Sequence, residues 1–113
     1  MSTRSTVAYE DDNGKTIGVY CHYDGFPSRM LPILKNMTFE DVKAMVEDAL
    51  SNGGLRYVEH DSTYQTYMEH CERSMWLHET PFAKLNETDY TYVKRKNNTI
   101  FATDSQNNIL EDG

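Results

Sequence analysis

Basic residues, cysteines and long apolar runs are all scarce in this chain of 113 residues. Eleven Lys and Arg stand against 18 Asp and Glu, which gives a formal net charge of −7. Because nucleic-acid binding relies on Lys and Arg that displace phosphate counterions, this balance argues against a nucleic-acid-binding protein. The same charge disfavours docking on an anionic membrane surface and favours solubility, a basic partner surface or imitation of nucleic-acid charge.

The lack of apolar runs bears on location. No run of 18 apolar residues occurs, and the first ten residues contain neither the apolar core nor the small-residue cleavage site of a signal peptide. The sequence therefore predicts a cytoplasmic protein that is neither secreted nor membrane-spanning. In a reducing compartment its two cysteines are expected to be free thiols.

Tyrosine, by contrast, is plentiful, with eight Tyr beside four Phe and one Trp. Disordered chains carry few aromatic residues, so this content predicts a folded core. The length fits one domain. We predict a single domain over residues 1–104, followed by a flexible acidic C-terminal tail over 105–113.

Two β-hairpins are predicted, one in each half of the chain. In the first, Asn13 and Gly14 supply a turn whose residues tolerate a positive φ, and in the second Asn97 and Asn98 do the same. The four strands are predicted at Thr3–Glu10, Lys15–Tyr23, Tyr90–Lys96 and Thr99–Thr103.

Helical patterns fill the region between the hairpins. Ser28 is a candidate N-cap for a short helix over Arg29–Asn36, with a start at Pro32 as the alternative. Thr38 is the N-cap expected for a stronger helix. That helix ends at Asn52, Gly53 and Gly54 and carries one apolar face, formed by Phe39, Val42, Val46, Ala49 and Leu50.

A short strand at Leu55–His60 and a third helical segment over Thr63–Leu77 complete the prediction. The fold class is therefore α+β: two β-hairpins forming a mostly antiparallel sheet, with two to three helices packed on one face.

The strand-to-helix segment Gly18–Pro27 (GVYCHYDGFP) is the most suggestive of function. Side chains alternate along a strand, so Val19 and Cys21 are predicted to face the core. The opposite face is predicted to be exposed or to line a groove. Its binding candidates, together with those of the following turn, are Tyr20, His22, Tyr23, Asp24 and Phe26.

Two interpretations of this segment stay open. In the functional one, His22 and Asp24 form an acid–base or ligand-binding pair at the rim of a groove. In the structural one, Asp24 makes an Asx-turn around Gly25 and His22 packs between Tyr20 and Tyr23.

Signatures of catalysis and of metal binding are missing. The chain has no C-x₂-C, H-E-x-x-H, G-x-S-x-G or P-loop pattern. Cys21 and His22 are adjacent, so they point to opposite faces of a strand and cannot form a dyad. We therefore predict no catalytic residues, no metal site and no cofactor.

The opening MSTRS and the segment GVYCHYDGFP resemble a family of small phage and prophage proteins, whose members open with MSTRS and carry a segment like GIYCHWDGYP. The resemblance covers residues 1–27 well and the second hairpin loosely. Tyr23 and Phe26 stand where the family has Trp and Tyr, which keeps both positions aromatic. The chain departs from the family where Pro32 interrupts a usually regular, Leu-rich helix. The resemblance implies a bacteriophage source and little chemistry.

These observations predict a non-enzymatic phage accessory protein that binds and modulates a host protein, in host takeover or as an anti-defence factor. An alternative is a sponge that binds a nucleotide signal of host immunity, with Arg4 or Arg29 meeting the anion. Such a protein would be expected to be a homo-oligomer, because so small a domain rarely encloses a ligand alone. A small hydrolase using His22 and Asp24 is a third reading.

Overall fold

Seven strands and two helices make up the described part of the chain, which in this computed structural model comprises residues 3–13, 15–66, 88–106 and 108–113. In chain order they are β1 (Ser5–Glu10), β2 (Thr16–Cys21), α1 (Pro27–Asn36), α2 (Phe39–Ser51), β3 (Leu55–Val58), β4 (Tyr64–Thr66), β5 (Tyr90–Lys94), β6 (Ile100–Asp104) and β7 (Ile109–Asp112).

All seven strands belong to one mixed sheet with the order β4-β3-β2-β1-β5-β6-β7. Four neighbouring pairs are antiparallel, whereas β1–β5 and β2–β3 are parallel. A parallel pair needs a crossover connection, and α1 and α2 provide it between β2 and β3. The predicted α+β class, with a mostly antiparallel sheet and two helices, is confirmed.

Both predicted hairpins are confirmed, and each turn is held by a side-chain carbonyl or carboxylate. Asp11 Oδ1 accepts hydrogen bonds from the backbone N–H of Asn13 (2.9 Å) and of Lys15 (2.8 Å). In the second hairpin Asn97 Oδ1 accepts from the N–H of Thr99 at 3.1 Å, and Asn98 has φ 68°. Asn and Asp form such turns because their short side chains reach nearby backbone N–H groups.

The predicted limits of α2 are also confirmed. Thr38 Oγ1 accepts from the N–H of Asp41, and the Asp41 carboxylate accepts from the N–H of Thr38, both at 3.2 Å. This reciprocal capping box satisfies two N–H groups that have no partner within the helix. At the other end Gly53 and Gly54 have φ 84° and 101°, values that favour glycine.

The start of α1 differs from the prediction. The helix begins at Pro27, with Phe26 at the N-cap position and no side-chain cap, so the prediction of Ser28 as N-cap is wrong. Proline suits the first helical position because the N–H there has no partner within the helix. Pro32 lies inside α1, where the carbonyl that its missing N–H would have met belongs to the exposed Ser28.

Two further predictions are corrected. Tyr64–Thr66 form strand β4 rather than the start of a helix, and the rest of that proposed helix lies outside the described residues. The predicted flexible tail instead contains β7, which pairs with β6. Ion pairs of Glu111 with Lys35 (2.6 Å) and of Asp112 with Arg95 (2.7 Å) explain why acidic residues are accommodated there.

The main core lies between the two helices and one face of the sheet. Buried side chains of α1 and α2 meet Val7, Val19 and Tyr92 from the central strands. Neither helix of the described part is long and apolar enough to cross a membrane. The helices that fill this core also fix the position of the β2–α1 connection, which carries the predicted binding residues.

Candidate functional site

The β2–α1 connection is anchored on both sides before it turns. His22 N–H donates to the carbonyl of Leu55 (3.1 Å) and Tyr23 N–H to that of Arg56 (2.8 Å), so pairing with β3 continues past Cys21. The chain then reverses at Asp24, and Gly25 N–H donates to the carbonyl of Thr3 at 2.9 Å. We call the side chains of His22, Tyr23, Asp24 and Phe26 the junction surface.

Three aromatic rings support one end of the junction surface. The Tyr20 hydroxyl and His22 Nδ1 are hydrogen-bonded at 2.7 Å, and the centroids of these two rings are 5.7 Å apart. The rings of His22 and Tyr23 meet edge to face with centroids 4.5 Å apart. Tyr20 is only 6% exposed, so the prediction that it is exposed or groove-lining is corrected: it orients His22 from beneath.

The structure thus brings His22 between Tyr20 and Tyr23, as the structural interpretation expected. Phe26 lies apart, at the N-cap position of α1. No hydrogen bond or ion pair joins the described side chains of His22 and Asp24, which is what an acid–base pair would require.

Tyr23 and Phe26 expose more of their surface than almost all other large apolar side chains. They are 37% and 38% exposed, and in the described part of the chain only Ile109 and Leu110 join them as exposed large hydrophobic residues. Aromatic side chains usually stabilise a protein by being buried in its core. Tyr23 and Phe26, three residues apart, instead leave apolar surface exposed, which is available for contact with another molecule.

Asp24 separates the two exposed rings and has φ 55°, in the left-handed region. The predicted Asx-turn around Gly25 is absent from the described residues, since no backbone N–H donates to the Asp24 carboxylate; Gly25 N–H donates to the carbonyl of Thr3. Within residues 3–13, 15–66, 88–106 and 108–113, no group donates a hydrogen bond to the Asp24 carboxylate and none forms an ion pair with it. The side chain is exposed.

Two features of the buried residues beneath it fix the position of the turn. The Tyr92 hydroxyl donates to the Gly25 carbonyl at 2.5 Å. A Cβ at Gly25 would lie 2.5 Å from Ser5 Oγ, so only glycine lets the turn approach β1 this closely. Tyr92 was not among the functional residues predicted from the sequence. The alternating pattern of its strand is a signal for an inward-facing side chain, and a buried tyrosine hydroxyl needs a hydrogen-bond partner.

Cys21 faces the core, as predicted, and so does Val19. The thiol is fully buried, and this burial raises its pKa to about 12. Its Sγ lies 3.9 Å from the carbonyl of Tyr23, to which it donates a weak hydrogen bond. A buried thiol that stays protonated is a poor nucleophile.

Arg29, a predicted anion-binding residue, lies in α1 with its side chain 14% exposed. Its Nη2 is 3.9 Å from a carboxylate oxygen of Glu59, and its Nη1 is buried with no hydrogen-bond partner in the part of the chain that the structure describes. The guanidinium therefore already lies beside an acidic group. Arg4, the other predicted anion-binding residue, accepts a backbone hydrogen bond from the N–H of Asp89 at 2.9 Å.

A concave region of about 360 Å³ lies at the opposite end of the sheet. Its floor includes the edge-to-face pair of Tyr9 and Phe39, with centroids 6.1 Å apart. Lys96 is paired there with Asp12. Carboxylates outnumber ammonium groups in the lining, which comprises Tyr9, Asp11, Asp12, Phe39, Glu40, Lys43 and Lys96. This region therefore does not favour an anionic ligand.

In the described ranges no three His, Cys, Asp or Glu side chains come together as a metal site. His70, Cys71 and His78, which the sequence also offers, lie outside those ranges. No family model, curated protein or solved structure matches the chain.

Proposed function

We propose that this chain is a non-enzymatic phage accessory protein that binds a host protein through the junction surface, and so serves host takeover or evasion of host defence. The observation that carries the proposal is the pair of exposed rings, Tyr23 and Phe26, on either side of a carboxylate that has no partner among the described residues. Aromatic residues in such positions are the usual anchors of protein interfaces.

Preorganisation of the junction surface supports a binding role. The ring of Tyr23 packs edge to face against that of His22, and the first turn of α1 fixes the backbone of Phe26, because Met30 N–H donates to the Phe26 carbonyl at 3.0 Å. Side chains that are already fixed lose little conformational freedom when a partner binds. The rigid core beneath therefore adds to the affinity that these rings can provide.

The source and the host partner are supported by the sequence. Residues 1–27 resemble phage and prophage proteins, and the net charge of −7 suits a basic partner surface. Among the described residues no hydrogen bond or ion pair joins His22 to Asp24, and the Cys21 thiol is buried; both observations favour binding over catalysis. The nucleotide-sponge alternative, in which the chain would form a homo-oligomer, gains no support from Arg29, whose guanidinium faces Glu59.

The experiment is capture of host proteins from a lysate on the immobilised chain. We expect the wild type to retain one stoichiometric host protein, and Tyr23→Ala/Phe26→Ala to retain it at least about tenfold less, as interface anchors do. The matched control is Ile109→Ala/Leu110→Ala, which truncates the other exposed pair and should retain the protein fully.

Circular dichroism checks that both double variants are folded. Equal retention by the wild type and the Tyr23→Ala/Phe26→Ala variant would contradict the proposal. Recovery of a nucleotide rather than a protein would favour the alternative.

A further inference from the structure

Resting on the proposed function, we infer that the junction surface recognises an arginine side chain on its partner. The guanidinium would pair with the Asp24 carboxylate and lie against the exposed rings of Tyr23 and Phe26. The proposal thus specifies the chemistry of the partner: a protein segment that presents arginine.

Among the described residues, no group donates a hydrogen bond to the Asp24 carboxylate or forms an ion pair with it. Several other carboxylates of these residues serve the fold. Asp11 holds a turn, Asp41 caps a helix, and Asp112 pairs with Arg95. Asp24 has no such role in the described part of the chain, where the turn is held by the bond from Gly25 N–H to the carbonyl of Thr3. A carboxylate with both oxygens available accepts two parallel N–H bonds from a guanidinium.

Two exposed aromatic rings lie close to Asp24 in the sequence. Tyr23 and Phe26 flank Asp24 in sequence and are the exposed aromatic side chains of this connection. A guanidinium is planar and more weakly hydrated than an ammonium group, so it stacks on aromatic faces while keeping its hydrogen bonds in the plane. A guanidinium paired with the Asp24 carboxylate can therefore also stack on an adjoining ring, whereas a neutral apolar group would leave the carboxylate unpaired.

The negative net charge of the whole chain favours a basic partner. With 18 acidic and 11 basic residues, the protein attracts basic segments over distances of about a Debye length, roughly 8 Å at physiological salt. A second copy of this chain carries the same negative charge, so electrostatics favour a basic partner instead. Long-range attraction and local pairing thus select the same class of partner.

The test is a titration of the full chain with a peptide probe. NMR records the chemical shifts of the Tyr23 and Phe26 ring protons during the titration. The probes are two acetylated and amidated pentapeptides, Gly-Ser-Arg-Ser-Gly and the same peptide with citrulline in place of arginine. Citrulline keeps the shape of arginine and loses its charge. We expect both sets of ring protons to shift with the arginine peptide and affinity for the citrulline peptide to be about tenfold weaker, as charge-assisted hydrogen bonds imply.

The matched variants are Asp24→Asn and Glu40→Gln, each of which removes one negative charge. Asn tolerates the left-handed backbone of position 24, so the first variant is expected to fold. Glu40 is exposed at the far end of the sheet. Asp24→Asn should weaken arginine-peptide binding about tenfold and Glu40→Gln by less than about twofold, since the effect of Glu40 is screened.

Absence of ring shifts, equal affinity for both peptides, or equal effects of the two variants would overturn the inference. Its failure is distinct from failure of the proposed function. If the host protein depends on Tyr23 and Phe26 but is retained fully by Asp24→Asn, binding through the junction surface stands and arginine recognition falls.

Discussion

Tyr92 shows how a single buried hydroxyl can position an exposed surface. It lies in β5 with no exposed area, yet its hydrogen bond reaches the carbonyl of Gly25 in the turn that carries Asp24. Burial raises the pKa of Tyr92 above its ordinary value of 10.0. The hydroxyl therefore stays protonated and available as a donor wherever the protein is folded at neutral pH.

Replacing Tyr92 by Phe should lower the free energy of unfolding by about 1 kcal/mol at neutral pH, the usual net contribution of a buried hydrogen bond. Because the folded pKa lies above the unfolded one, the contribution of Tyr92 is fully present below pH 10.0 and is lost as pH rises beyond it. The difference between wild type and Tyr92→Phe should therefore shrink in alkaline solution. Denaturant titrations from neutral to alkaline pH measure it.

Tyr90→Phe is the matched control. Tyr90 stacks on Tyr92 with ring centroids 6.5 Å apart, and its hydroxyl makes no hydrogen bond in the described part of the chain. Removing that hydroxyl should change the unfolding free energy by a few tenths of a kcal/mol. A loss equal to that of Tyr92→Phe would show that the bond to Gly25 does not stabilise the turn.

For single residues, the sequence predicted the burial that follows from the alternation of side chains along a strand. It did not predict features that depend on contacts with residues distant in sequence. Val19 and Cys21 face the core because successive strand side chains point to opposite faces. The burial of Tyr20 depends on the packing of the other face of the sheet, which alternation alone does not reveal. The free carboxylate of Asp24 depends on the bond from Gly25 to Thr3, a contact between separate segments.

Among the elements, α2 was the most predictable, because its limits are set by neighbouring residues. Thr38, Asp41 and the glycines at its end are local signals that act within one turn of helix. The start of α1 was misjudged because Pro27 and Ser28 both suit a helix N-terminus, at different positions. Strand β7 was missed because its ion pairs with Lys35 and Arg95 are remote in sequence.

Removing the N-cap of α2 should show how much capping contributes to the free energy of unfolding. Thr38→Ala removes the hydroxyl that accepts from Asp41 N–H, and should lower the free energy of unfolding by about 1 kcal/mol. Thr38→Ser keeps the hydroxyl and should cost only a few tenths of a kcal/mol. Chemical denaturation of both variants distinguishes them. Equal losses would assign the effect to the Thr38 methyl group rather than to the cap.

In the whole molecule β1 occupies the centre of the sheet, paired with β2 on one side and β5 on the other. Its side chains Val7 and Ala8 are fully buried. Among the described strands β7 lies at one edge, pairs with β6, and exposes Ile109 and Leu110. The parallel pairing of β1 with β5 was not predicted, because no local pattern identifies a partner so far along the chain.

Hydrogen exchange should reproduce this gradient of protection. We expect the backbone amides of Val7 and Ala8 to exchange slowest, by global unfolding, and those of Ile109–Asp112 to exchange fastest, by local opening of the edge. Exchange followed by NMR or mass spectrometry measures both. Equally slow exchange in β7 would mean that another strand, for instance from a second copy, covers this edge.

The central position of β1 also has a consequence for how the protein is made. Ser5 is synthesised long before its parallel partner Tyr90, so the middle of the sheet cannot close until the chain between them has been made. Until then β1 and β2 form a hairpin with one open edge, a state prone to pairing with other chains. Closure over such a sequence distance is slow compared with local helix formation. The Tyr92 bond that steadies the junction surface forms in the same late step, so the turn that carries Asp24 is fixed only once β5 has been made.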